Sequence, residues 1–84
     1  MTTQKLDPKL AEMFKNEMLK TGWQVTKQDA GQTHIVGWGY AIEWAKSSQI
    51  VSLQYQEIQG HAEAQLQISP DALTDINTMI DTLL

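Results

Sequence analysis

His34 and His61 are the only imidazoles in this chain, and none of its 84 residues is cysteine. Thiolate catalysis and cysteine-held metal centres are therefore closed to it. His61 and Glu63 stand two positions apart, a spacing that on a strand puts both side chains on one face, about 7 Å apart at Cα. A metal site needs three or four convergent ligands, and two do not make one, so neither a metal nor a cofactor is expected. A hydrolytic triad needs a nucleophile, a base and a group that orients the base. Each histidine instead lies beside a turn, where a solvated imidazole is the ordinary outcome. Glu43 and Glu57 would form an acid–base pair if their segments were neighbours. Carboxylates on an open sheet, however, lack the apolar pocket that raises one pKa above the other. No enzymatic activity is expected from these groups.

Gly37-Trp38-Gly39 lacks the Gly-x-Gly-x-x-Gly spacing of a nucleotide loop, and no phosphate-binding Lys-Ser or Lys-Thr pair follows it. The aromatic residues around it are more informative. Trp38, Tyr40 and Trp44 share one parity of an alternating segment, opposite Gly37, Gly39 and Ala41. Trp38 reads as core. Tyr40 and Trp44 lie where a long strand would overhang a small sheet, and aromatic rings with a polar handle dominate the energetics of protein interfaces. A partner-binding surface made of Tyr40, Trp44 and the neighbouring Gln54 and Gln56 is the resulting expectation.

Composition narrows the choice of partner. Six lysines and no arginine face ten acids, for a net charge of −4. Phosphate neutralisation needs clustered cations and base readout leans on arginine, whereas here no two basic residues are adjacent, so nucleic acid is not expected as a partner. The charge is uneven, because residues 1–27 hold five lysines and three acids while residues 28–84 hold one lysine and seven acids. Mimicry of DNA would need denser acids than Asp71, Asp75 and Asp81 provide, given one phosphate charge per ~1.7 Å of duplex axis. Ordinary surface charge that keeps the chain soluble accounts for the pattern. No apolar run approaches the ~20 residues of a membrane span, and the opening Met-Thr-Thr-Gln-Lys-Leu-Asp-Pro has no secretory-signal pattern. A cytoplasmic location away from membranes is the default.

The elements that must position these residues follow from local pattern. Asp7 and Pro8 have the chemistry of a helix cap and first helical position, Leu10, Phe14 and Met18 form a stripe at helical spacing, and Gly22 suits a helix stop. The spacing predicts a helix over 8–21. From Trp23 the period drops to two, with Trp23, Val25 and Lys27 on one side. Asp29-Ala30-Gly31-Gln32 reads as a turn, and alternation resumes at Thr33 and runs to Trp44. Residues 40–46 also fit one or two helical turns, which would set Tyr40 over Trp44. Two further alternating segments cover 49–58 and 61–68, separated by Gly60. Ser69-Pro70-Asp71 then opens a second helix with its stripe at Leu73, Ile76, Ile80 and Leu83.

The order α-β-β-β-β-α with short connections implies an α+β two-layer sandwich over residues 1–84, an antiparallel four-stranded meander with both helices on one face. Its expected core is Leu10, Phe14, Met18, Trp23, Val25, Val36, Trp38, Val51, Leu53, Tyr55, Leu66, Ile68, Leu73, Ile76, Ile80 and Leu83. At this size about 60–65% of the unfolded surface can be buried, enough for one core. The functional expectation is a non-enzymatic protein–protein interaction module, a small adaptor or inhibitor such as a mobile element carries, acting as a homodimer or as the small subunit of a complex. The alternative is a small-ligand-binding domain with an aromatic cleft between the first helix and the strand that bears Trp38.

Overall fold

The computed structural model describes residues 2–32, 37–58 and 60–84. Five strands, β1 (Thr2–Leu6), β2 (Gln24–Gln32), β3 (Gly37–Lys46), β4 (Gln49–Ile58) and β5 (His61–Ile68), accompany two helices, α1 (Ala11–Lys20) and α2 (Leu73–Leu83). The architecture is α+β. All neighbouring strands are antiparallel, in the order β1-β5-β4-β3-β2.

The expected meander is therefore a five-stranded sheet rather than a four-stranded one. β1 adds to the far side of β5, with Leu6 opposite Ala64 and Thr2 opposite Ile68. Its sequence, Thr-Thr-Gln-Lys-Leu, hides this because two of its three inward positions are polar. Gln4 satisfies its inward amide by donating from Nε2 to Asn77 Oδ1 of α2 at 2.9 Å, and only Leu6 is buried.

Helix ends behave as their residues dictate, with one exception. Asp7 Oδ1 accepts from the Lys9 N–H at 3.0 Å, and Pro8–Leu10 form a turn of 3-10 helix that leads into α1. Gly22 adopts φ +89°, and the Trp23 N–H turns back to the Met18 carbonyl at 3.2 Å, a Schellman-type ending that also delivers the indole to the core. Ser69 does not cap its helix. Its hydroxyl accepts from the Ile50 N–H at 3.0 Å while its own N–H donates to the Ile50 carbonyl at 2.9 Å, which ties the start of the Pro70–Ala72 turn to β4.

Residues 40–46 are strand, not helix. Every residue of β3 from Gly37 to Lys46 faces a residue of β4. Gly39, on the bare side of β3, permits close packing: a Cβ there would sit 2.7 Å from the Tyr55 carbonyl oxygen. The alternation expected across 23–28 fails at Thr26, where the register between β2 and β3 shifts. Val25 faces Trp44, but beyond this bulge Lys27 faces Glu43 and Gln28 faces Ile42, so lysine goes to the outer side and glutamine to the inner. The Thr26 hydroxyl anchors the bulge, donating to Glu43 Oε2 at 2.7 Å with the Glu43 carbonyl at 3.2 Å.

One core cluster takes one parity of the strands and the stripes of both helices. Trp44, Phe14, Met18, Leu53, Leu66, Ile68, Ile76 and Val51 are its largest fully buried members. Leu6, Ala11, Tyr40, Ile42, Ala64 and Ala72 are buried with them, while Leu10, Tyr55, Leu73, Ile80 and Leu83 pack around the margin. Val25, expected inside, is 45% exposed. Val36 and the Trp38 side chain lie outside the described residues.

Coverage explains Val25. Two helices, each about 10 Å across, can roof about four strands spaced at ~4.8 Å. α2 reaches β1 through Asn77, and α1 sits on β3 through Phe14 against Trp44. The fifth strand is left over. Residues 24–29 of β2 are all exposed.

Candidate interaction surface

The four residues expected to bind a partner divide between the two faces of the sheet. Tyr40 and Trp44 point inward and are 8% and 1% exposed, so neither ring is an anchor for a partner. Trp44 meets Phe14 edge-on, with ring centroids 5.7 Å apart at 73°. Tyr40 stacks on Tyr55 at 5.0 Å, and Lys15 Nζ lies 4.5 Å above the Tyr40 ring. The core absorbs the rings because α1 roofs the middle of β3 and leaves no overhang there. A small pocket of about 250 Å³ remains beside the two tyrosine rings, lined by Pro8, Ala11, Glu12, Tyr40, Tyr55 and Glu57.

Gln54 and Gln56 point the other way and are exposed. The strand registers set them in rows that cross the outer face. One row runs Lys5, Gln65, Gln54, Ala41 and Asp29, and the next places Gln56 between Glu63 and Gly39. A groove of about 480 Å³ crosses this region, lined by Lys5, Gln54, Gln56, His61, Glu63 and Gln65 among others. Lys5 and Gln65 were missed in the sequence because only the pairing of β1 with β5 brings the lysine beside the amides. The signal for Gln65 was present in its alternation with Leu66, which assigns it outward.

The acid–base candidates separate. Glu43 shares the outer parity of Ala41, whereas Glu57 shares the inward parity of Tyr55, so the two carboxylates lie on opposite faces of the sheet. Glu57 instead accepts the Tyr55 hydroxyl. His61 Nε2 and Glu63 Oε1 are 3.1 Å apart, with both side chains more than 70% exposed. Water screens such a pair, and no group of three potential metal ligands occurs among the described residues. His34 lies outside them. No described helix is long and apolar enough to cross a membrane.

The fold raises the titration of two tyrosines. Burial pushes the Tyr40 hydroxyl up to about 12, helped by the negative charge of Glu12 and by Tyr55. Tyr55 is also raised, chiefly because its hydroxyl donates to Glu57 and must keep its proton to do so. A folded-state pKa above the ordinary value of 10 means that the contribution of Tyr40 to stability is whole below pH 10 and is lost as pH climbs toward about 12. The tyrosinate absorbance of the folded protein should therefore lag behind that of the urea-unfolded chain. Tyr40→Phe should remove most of the loss of stability in that window. Identical folded and unfolded titration curves would show that water reaches both hydroxyls.

No family model, curated protein or solved structure matches the chain. The functional reading rests on the geometry.

Proposed function

We propose that the protein is a non-enzymatic protein–protein interaction module that receives a partner on its outer sheet face, at the groove bordered by Gln54, Gln56, Gln65 and Lys5. One observation carries this reading: on the face away from the helices, β4 and β5 present the exposed amides of Gln54, Gln56, Gln65 and Gln67 side by side. Amides supply donors and acceptors together without the cost of desolvating an ion, which suits an extended polar segment of another protein. Lys5 and Glu63, diagonal neighbours across β1 and β5, add a charge of each sign beside the amides. The exposed His61–Glu63 pair supports binding over catalysis, since nothing around it excludes water or orients a nucleophile.

Capture from a lysate of the native host, with the wild-type chain and with a Gln54→Lys/Gln56→Lys variant side by side, tests the proposal. Both substitutions sit on the surface, so the melting temperature should hold while recovery of the partner falls about tenfold or more, the loss expected where the substitutions cost about 1.4 kcal/mol of binding or more. Equal recovery by both chains would remove the outer face from the reading.

One observation favours small-ligand binding as a second reading. A cleft of about 320 Å³ lies between the C-terminal end of α1 and α2, lined by Trp23, Met79, Lys46, Glu17 and Asp75 among others. A ligand seated there should shift tryptophan emission in the wild type but not in Trp23→Phe.

A further inference from the structure

The strand that the helices leave uncovered is also an edge of the sheet. β2 pairs with β3 on one side only, and its residues 24–29 are exposed. Such an edge offers a row of free backbone N–H and C=O groups to any strand that approaches. Beyond the bulge, Lys27 and Asp29 project from the outer face of β2 two residues apart, and Gln28 projects from the inner face between them. Neither charge makes an ion pair or a side-chain hydrogen bond with any described residue. Within the monomer Asp29 faces only Ala41.

This arrangement is self-complementary. When two copies of a strand pair antiparallel about a two-fold axis perpendicular to the sheet, the outer faces stay together and residues of like parity face each other. Centred on Gln28, the pairing sets Lys27 of each copy opposite Asp29 of the other, so two attractive pairs form and the two Gln28 amides meet at the axis. Centred one residue earlier, it sets Lys27 against Lys27. One residue later, Asp29 meets Asp29. Opposite charges directly across a ladder stabilise it and like charges destabilise it, so the two charges that penalise neighbouring registers select one. A plus and a minus placed symmetrically about one residue is the property that an isologous contact requires.

We propose that two copies of this chain join through their β2 edges, antiparallel and centred on Gln28, to make one continuous sheet. Backbone hydrogen bonds hold the contact, and the Lys27–Asp29 pairs set its register. The occupant is a second copy of this chain because the charge pattern matches its own reverse; an unrelated strand has no reason to carry the complement. The contact uses β2, whereas the groove on the outer face lies over β4, β5 and β1, so either proposal can fail without the other.

Sedimentation equilibrium of the full chain tests it, with Asp29→Lys as the principal variant because Asp29 has no charged neighbour across β3. The wild type should show a concentration-dependent dimer. Asp29→Lys should weaken it about tenfold or more, since both attractive pairs become repulsive, and Lys27→Glu/Asp29→Lys should restore it by exchanging the signs. A second measurement is independent of charge. Gln28→Cys introduces the only thiol in the chain, and across an antiparallel pair the two Cα atoms would lie about 4.5–5.5 Å apart, within disulfide reach. It should oxidise to a covalent dimer much faster than Gln67→Cys. A wild type that remains monomeric at millimolar concentration, a double variant no better than the single, or equal cross-linking of the two cysteine variants would each overturn the proposal. Association through another surface is the alternative that those last two results would reveal.

Discussion

Trp44→Ala should cost about 3–5 kcal/mol of folding stability, the usual consequence of deleting a buried aromatic ring. The indole is 1% exposed, its cross-strand partners are Val51 on β4 and Val25 on β2, and Phe14 of α1 meets it edge-on. Its loss would open a void at the point where α1 rests on the sheet. A domain of this length has only about 5–10 kcal/mol in total, so the variant should melt tens of degrees below the wild type or lose its cooperative transition. Circular dichroism against temperature reads this directly. A surface anchor would behave in the opposite way, leaving the spectrum intact and weakening association alone. An unchanged melting temperature would therefore remove Trp44 from the core.

The second large effect is a contrast between two aliphatic residues that look alike in the sequence. Leu66 and Ile80 each occupy the apolar position of a clean periodic pattern, yet Leu66 is fully buried while Ile80 packs at the margin of the core. Leu66 lies between Leu53 on β4 and Gln4 on β1, with no free side from which structure can collapse into the gap. Leu66→Ala should cost about 3–4 kcal/mol, whereas Ile80→Ala, whose vacated volume is partly open to solvent, should cost about 1–2 kcal/mol. Urea unfolding with equal slopes for the two variants would measure the difference. Equal losses would mean that α2 seats its C-terminal half as deeply as β5 seats Leu66.

Much of this fold was legible because the local signals agree with the global structure. Ala64, Leu66 and Ile68 alternate with Glu63, Gln65 and Gln67, and β5 buries the first set and exposes the second. Asp7 and Pro8 set the 3-10 turn that leads into α1, and Gly22 ends the helix, through backbone chemistry that acts within a few residues. Gln54 and Gln56 were correctly assigned to a strand and are exposed. Grouping them with Tyr40 and Trp44 failed, because parity says which side chains of one strand share a face but not which face a helix covers.

What the sequence determined by itself is thus what short-range physics controls: the place of each helix, the period of β3 through β5, and the antiparallel order that short connections impose on β2 through β5. Residues 29–32, expected as a turn, instead continue β2. Tertiary structure decided the rest. β1 exists because the free edge of β5 supplies hydrogen-bond partners to a segment whose inward residues are mostly polar. The Thr26 bulge exists because Glu43 on another strand anchors its hydroxyl, and it reverses the parity that local alternation predicts. The burial of Trp44 and the exposure of Val25, which face each other across one ladder, follow from where α1 stops. Two helices roof about four strands, and five are present, so a residue's solvent contact depends on which strand the roof omits.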